Sequence, residues 1–366
     1  MSNTEVQFMS NTYNTLILGA SYGSLLGCKL ALAGHPVTLV CTAPTAKLIN
    51  QRGVVVHFPL RGSDEPATVY SKSINTQITA ATPSEIDVDK YDLVVLGMQE
   101  PQYNNAEVRA LMAKIAEAKK PCVAIMNMPP LAYMRRLPGI NADSLGGCYA
   151  DTSVWDKFDP GLVTLASPDP QAFRPLNKGK NILQVSLPTN FKVARFESDQ
   201  YTSMLREIEA DIMAIRFPHG GGDVELPVKL KVHDSLYVPL AKWSMLMTGN
   251  FRCIQKDGML AICDAVHADI DKSREIYEWT AALCIELGAQ ASDLVPFDKY
   301  AAAAKGLSQP SSAAKALDRG VIAIERVDRL VKLLADQKAL SHPEISATVE
   351  TVDWYLDKNS QSEKIA

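Results

Sequence analysis

Apolar residues follow two rhythms along this chain. Through the first half they come in short solid runs, as at residues 16–18, 37–41, 92–98 and 122–126, each closed by glycine, proline or polar residues. Such runs suit strands buried on both faces. Between them lie stretches with helical spacing: Leu26, Leu30 and Ala33, then Val108, Leu111 and Ile115, and later Leu205, Ile208 and Ile212. Further short strands are expected at 54–58, 67–70, 161–166, 181–187 and 191–196, with 148–154 closing the sheet. From Asp234 helical spacing takes over, predicting helices over 234–256, 265–288, 310–336 and 343–357. Strands alternating with helices predict an α/β fold, a Rossmann-like doubly wound parallel sheet followed by a mainly α-helical C-terminal domain. The boundaries expected are 13–232, with extra strands at about 151–200, and 233–366. Residues 1–12 are polar and expected to be loosely held.

Residues 15–42 read strand, glycine turn, helix, strand, which is a βαβ unit. The turn Gly19-Ala20-Ser21-Tyr22-Gly23-Ser24 opens the helix, where free N–H groups suit a dinucleotide pyrophosphate. Serine stands at position 21 where the usual fingerprint has its second glycine, and Gly23 comes one residue early. In such sheets ligands bind beyond the carboxyl ends of the strands. Thr42, Met98, Gln99 and Asn127 share that rim with the turn, so all are candidate cofactor-binding residues. An NAD enzyme usually carries an acid at the end of its second strand. Here Thr42, Thr45 and Lys47 follow, which favours NADP over NAD. The same turn also spells G-x-S-x-G, a serine hydrolase elbow at Ser21, and His219-Gly220-Gly221-Gly222 is like an oxyanion loop. The order along the chain argues against a hydrolase.

Composition narrows the classes. The chain has 366 residues, 47% hydrophobic and 21% charged, with net charge −4. It is ordinary globular material, with no basic excess to favour nucleic acid or an anionic membrane. Seven scattered cysteines without a C-x-x-C suggest reduced thiols in a cytoplasmic protein and no metal site. No apolar run reaches the ~20 residues of a membrane span, and no signal-like segment precedes the first strand. The helix around Lys242 is unusual. Leu240, Trp243, Leu246 and Met247 surround an ammonium there, and burial would lower its pKa.

Three segments resemble the ketopantoate reductase (2-dehydropantoate 2-reductase) family. Residues 19–40 are similar to its opening βαβ unit, less one loop residue. Residues 240–250, with Lys242 and Asn250 eight apart, resemble its catalytic helix. Pro310-Ser311-Ser312, then 317–320 and Glu325, resemble the segment carrying its substrate serine and active-site glutamate. The resemblance implies an NADPH-dependent oxidoreductase that reduces a 2-oxo acid or related carbonyl. Lys242 would be the general acid, and Asn250, Ser311 or Ser312 would hold substrate. Glu325 would anchor substrate or orient Lys242, with Asp328 as an alternative acid, and Asn127 would lie near the nicotinamide. Several family residues are replaced, by Gln99, Thr42, Leu246 and the run Met128-Pro129-Pro130. These changes imply a more apolar pocket and a substrate other than ketopantoate. A non-catalytic dinucleotide-binding protein is the alternative. The apolar C-terminal stripe at Val331, Leu333 and Leu334 suits a core or a homodimer seam.

Overall fold

The computed structural model describes residues 11–365. The expectation of a loosely held N-terminus falls, for residues 1–10, outside them. The chain begins with β1 (Thr15–Leu18), α1 (Gly23–Leu32), β2 (Val37–Val40), α2 (Ala43–Arg52), β3 (Val55–Phe58), β4 (Ala67–Tyr70), β5 (Ile78–Ala81) and β6 (Leu93–Leu96). Next come α3 (Ala106–Glu117), β7 (Cys122–Ile125), α4 (Leu131–Met134) and β8 (Val163–Ser167). Then follow β9 (Gln171–Phe173), β10 (Ile182–Leu187), β11 (Phe191–Ala194), α5 (Asp199–Ala214), β12 (Phe217–His219), β13 (Gly222–Val224) and β14 (Leu230–His233).

The main sheet has eight strands in the order β14-β11-β8-β7-β6-β1-β2-β5. Strands β8 through β5 run parallel, and the β11–β8 pair is antiparallel. The doubly wound sheet is thus present. The segment expected to close it is different: residues 142–148 and 152–155 form 3₁₀ turns, and β8, β11 and β14 complete the edge. Asp151 caps the second of these turns by accepting the Ser153 N–H, which stops an extended run there.

Each strand divides its side chains between the two faces, as period two requires. Leu16, Leu18, Val94, Leu96 and Ala124 join one apolar cluster, which continues into the helical half through Leu240, Trp243 and Met247. Ile17, Val95, Val123 and Ile125 join the other, with α1. A second sheet, β4-β3-β10-β9, packs on the far side of α1. Its strands come from places more than a hundred residues apart, yet β3 and β10 pair in register from Val55 and Ile182. Packing on both sides explains why α1 is buried almost throughout.

The helical half is more broken than its periodicity suggests. The expected helix over 234–256 is a 3₁₀ turn at Val238–Ala241, α6 (Lys242–Met245) and a π-helical turn at Leu246–Asn250, followed by a small hairpin at 254–259. The stretch 265–288 is two helices, α7 (Ile262–His267) and α8 (Ile270–Glu286), because Asp269 starts a new one by accepting the Lys272 N–H. After α9 (Phe297–Ala304), the stretch 310–336 is α10 (Ser312–Asp318) and α11 (Val327–Gln337). Gly320, at φ +84°, lies in the break between them. The chain ends in α12 (Pro343–Ile365). No helix among the described residues is long and apolar enough to cross a membrane, and the cysteines there form no disulfide.

Candidate active site

The glycine turn joins β1 to α1 at the carboxyl edge of the sheet. Gly19 has φ +104°, and a Cβ there would lie 2.8 Å from the Gly97 carbonyl oxygen at the end of β6. A Cβ at Gly23 would lie 2.6 Å from Ile17 Cγ2. Glycine at these two places lets β1, β6 and the start of α1 close together. Ser21 is exposed at the turn, while residues 23–26, the first turn of α1, are buried behind it; the orphan N–H groups of a helix start are what an anion would use there. This turn therefore fits a dinucleotide pyrophosphate. Ala20 is buried, and Ser24 donates to its carbonyl, which fixes the turn from beneath. Met98 packs against Gly19, and its N–H donates to the Tyr103 hydroxyl. Gln99 is exposed on the same rim. Thr42 caps no N–H of α2; its hydroxyl donates to Thr45 at the exposed start of that helix.

A strap, Pro168-Asp169-Pro170, leaves β8 and runs along this rim. The Lys242 ammonium donates to the Pro168 carbonyl oxygen, and the Tyr22 hydroxyl donates to that of Pro170. Tyr22 also meets Phe191 of β11 edge to face, with centroids 5.6 Å apart. Asp169 sits between two cations: Lys192 Nζ is 3.5 Å from one carboxylate oxygen and Lys242 Nζ 3.8 Å from the other. Lys242 is 17% exposed in its side chain. Burial lowers its pKa from 10.5, against the opposing pull of Asp169 and Glu325 and with a further push from Lys192.

Glu325 lies in the irregular stretch before α11, not on a helix, so helical spacing does not govern where it points. It is buried and accepts from Asn127 Nδ2 at 3.2 Å and from the N–H groups of Glu100 and Met128. Burial pushes its pKa up to about 7 despite those bonds and the charge of Lys242. Asn127 Oδ1 is buried with no hydrogen-bond partner. Glu100 is a second buried carboxyl, also raised to about 7 by burial, and both its oxygens take the Ala150 N–H at 3.1 Å. Glu325 thus joins Asn127 by a hydrogen bond and Lys242 through its charge.

Other expected residues are placed differently. Asp328 is fully buried and paired with Arg326 at 2.8 Å, so it is not the acid facing Lys242. Ser311 caps α10 by accepting the Ala314 N–H and donates to the Asn250 carbonyl at 2.7 Å. Both roles hold the end of the Lys242 segment in place and leave that hydroxyl committed to backbone. Ser312 is exposed, and Asn250 is half-buried at the end of the π-helical turn. The His219–Gly222 loop is an exposed turn of the β12–β13 hairpin. Ser21 receives no hydrogen bond from a histidine among the described residues. His35 lies past the other end of α1 and is occupied by the Tyr13 N–H and by Asp211.

Asp169, Lys192 and Glu100 were not marked by the sequence. Glu100 directly follows the rim residue Gln99, and Asp169 sits between two prolines after a strand, which were the available signals. Arg174, just past β9, is another. Its guanidinium lies near enough to the Cys41 thiol to pull that pKa down, against the burial that holds it at about 11.

Residues 15–127 match the family model described as Ketopantoate reductase PanE/ApbA. No curated protein sequence matches significantly. Among solved structures, a protein described as a ketopantoate reductase from Ralstonia solanacearum MolK2 superposes with a TM-score of 0.64 at 14% identity, covering 96% of this chain and 99% of that one. D-mandelate dehydrogenase with NADH and anilino(oxo)acetate gives a TM-score of 0.62 at 13% identity, covering 94% and 99%. A dimeric ketopantoate reductase from Staphylococcus aureus gives 0.57 at 9%, covering 94% and 99%. Residues 15–127 therefore match the ketopantoate reductase PanE/ApbA family model, and the chain has the fold of these solved structures over nearly its whole length.

Proposed function

We propose that this protein is an NADP(H)-dependent oxidoreductase that reduces the carbonyl of a 2-oxo acid or related compound, with Lys242 as general acid. One observation carries the reading. Lys242, and Tyr22 of the glycine turn, donate to carbonyls two residues apart on one strap, which supports a catalytic ammonium near the cofactor turn. Bound nicotinamide would supply the hydride for the carbonyl carbon. Lys242 would give its proton to the carbonyl oxygen and offset the negative charge growing there. Its lowered pKa makes that transfer easier near neutral pH. Glu325, held by Asn127, would keep the ammonium oriented. Asn250 and the Ser311–Ser312 segment would hold the substrate, and Leu246 and Met128 would make its surroundings apolar.

Thr42 offers no cation to a 2′-phosphate, but Arg174 approaches the end of β2 from the second sheet, which favours NADPH over NADH. The D-mandelate dehydrogenase structure carries NADH, so the preference for NADPH rests on Arg174. We assign residues 13–232 to cofactor binding and 233–366 to substrate binding, in a cytoplasmic enzyme acting as a homodimer.

The test is twofold. Tryptophan fluorescence is titrated with NADPH and with NADH, and nucleotide oxidation is then followed across a panel of carbonyl compounds. Tighter binding of NADPH with carbonyl-dependent oxidation is the expected result. Binding without turnover on any carbonyl would leave the dinucleotide-binding protein as the function.

A further inference from the structure

Within the reductase reading, one feature of the cleft bears on which carbonyl enters it. A 2-oxo acid brings a carboxylate next to the reacting carbonyl, and that carboxylate needs a cation or several free donors. At this end of the cleft the two ammoniums are Lys242 and Lys192. Both already face the Asp169 carboxylate, one on each oxygen.

Asp169 is not a loose surface acid. It is 15% exposed in its side chain. It sits between two prolines, whose rings fix φ, and the carbonyls of both are held by side chains, Pro168 by Lys242 and Pro170 by Tyr22. The strap is thereby anchored on both sides of the acid. Glu325, whose charge acts on Lys242, and Glu100, which Glu325 in turn influences, add two more buried carboxyls, and the Ser311 hydroxyl is committed to Asn250 and Ala314. Of the unpartnered buried polar atoms, Asn127 Oδ1 is an acceptor that would repel an anion, and Ser167 Oγ, next to the strap, is a single hydroxyl, short of the several donors a carboxylate needs. Leu246, on the turn after Lys242, and Met128, next to Asn127, are buried and apolar and offer an anion no donor from their side chains.

We propose that Asp169 is a specificity-determining residue, an internal carboxylate that fills the anion position beside Lys242, so that the substrate is an uncharged carbonyl compound and not a 2-oxo acid. This deepens the reductase reading and rests on it. The reaction is then balanced by two species. The carbonyl carbon takes a hydride, with its electron pair, from reduced nicotinamide, and the oxygen takes a proton from Lys242. The products are a neutral alcohol and the oxidised nucleotide, and Lys242 regains its proton from water. Lys242 stays charged for this work because Asp169 balances it. A substrate anion would place a second carboxylate against the first, a like-charge contact that costs at least about tenfold in binding.

The test compares phenylglyoxylate with methyl phenylglyoxylate, which share the reacting carbonyl and differ in charge. The wild-type protein, saturated with NADPH, is expected to use the ester with a kcat/KM at least about tenfold above that of the acid. In Asp169→Asn that ratio should fall by about tenfold or more, because the two ammoniums become available to the acid. A merely structural role for Asp169 would lower both rates and leave the ratio fixed. A wild-type preference for the acid overturns the proposal, whether or not the variant folds, and so does a ratio unmoved in folded Asp169→Asn. Absence of nucleotide oxidation with either compound, and with every other carbonyl tried, overturns the reductase reading itself and this proposal with it.

Discussion

Arg174 and Lys242 show how much of the site rests on single charged groups. Neither owes its role to local sequence alone. Arg174 follows β9 in the second sheet, more than a hundred residues after the strand end it approaches. Its guanidinium acts on the Cys41 thiol, next to where the second ribose of a dinucleotide would lie. Arg174→Ala should therefore weaken NADPH at least about tenfold while changing NADH by less than about threefold. Isothermal titration with both nucleotides reads this directly, and an equal loss for both would remove Arg174 from the phosphate site. Lys242 was legible because an ammonium among Leu240, Trp243 and Met247 calls for a reason. Asp169 was not legible, since an acid in a proline-flanked loop looks like any turn until the fold brings Lys192 and Lys242 to it. Glu325 was suggested only by the resemblance, since the chain around it is irregular and carries no periodic signal.

At the scale of elements, the β1–turn–α1 unit was readable since its signals are local. A buried run, two glycines and a helical face all lie within eighteen residues, Thr15 to Leu32. The Lys242 helix was less readable. Its apolar spacing predicted one long helix, but Ser311 and Asn250 tie it to α10 and the chain widens into a π-turn. Local widening of this kind is common at functional sites. The second sheet was missed as a sheet since its strands are far apart in sequence and pair only once α1 is in place. The glycine turn itself can be tested. Gly19→Ala would combine a left-handed φ with a methyl 2.8 Å from the Gly97 carbonyl. Stability should fall by about 1–3 kcal/mol, and nucleotide binding should be lost because the turn must shift. Thermal unfolding and fluorescence titration check both. A variant with wild-type stability and affinity would show that the turn does not need this close approach.

The whole molecule is organised around α1, which is clamped between the two sheets. Lys29 lies on it, 1% exposed, and donates to the carbonyls of Leu226 at 3.2 Å and Pro227 at 3.3 Å. Next to them Val228 holds φ +64°, an unusual conformation for a β-branched residue. Burial lowers the Lys29 pKa to about 7, so the folded protein holds this proton less firmly than the unfolded chain does. Between pH 7 and 10.5 the unfolded state therefore binds more protons, and Lys29 makes stability rise with pH across that window. The slope is at most about 1.4 kcal/mol per pH unit. Lys29→Met should flatten that rise in urea unfolding measured at several pH values. An unchanged slope would mean that the ammonium is not desolvated in the folded protein.

The central claim is that Lys242 supplies the proton as the hydride arrives, and a single-turnover experiment tests it most directly. Wild-type protein and Lys242→Met are each saturated with NADPH, mixed with excess methyl phenylglyoxylate, and followed by loss of nicotinamide absorbance. The account predicts that both bind the nucleotide within about threefold of one another, while the variant oxidises it about 100- to 10,000-fold more slowly. Equal nucleotide binding with an oxidation rate within about tenfold of wild type would contradict it.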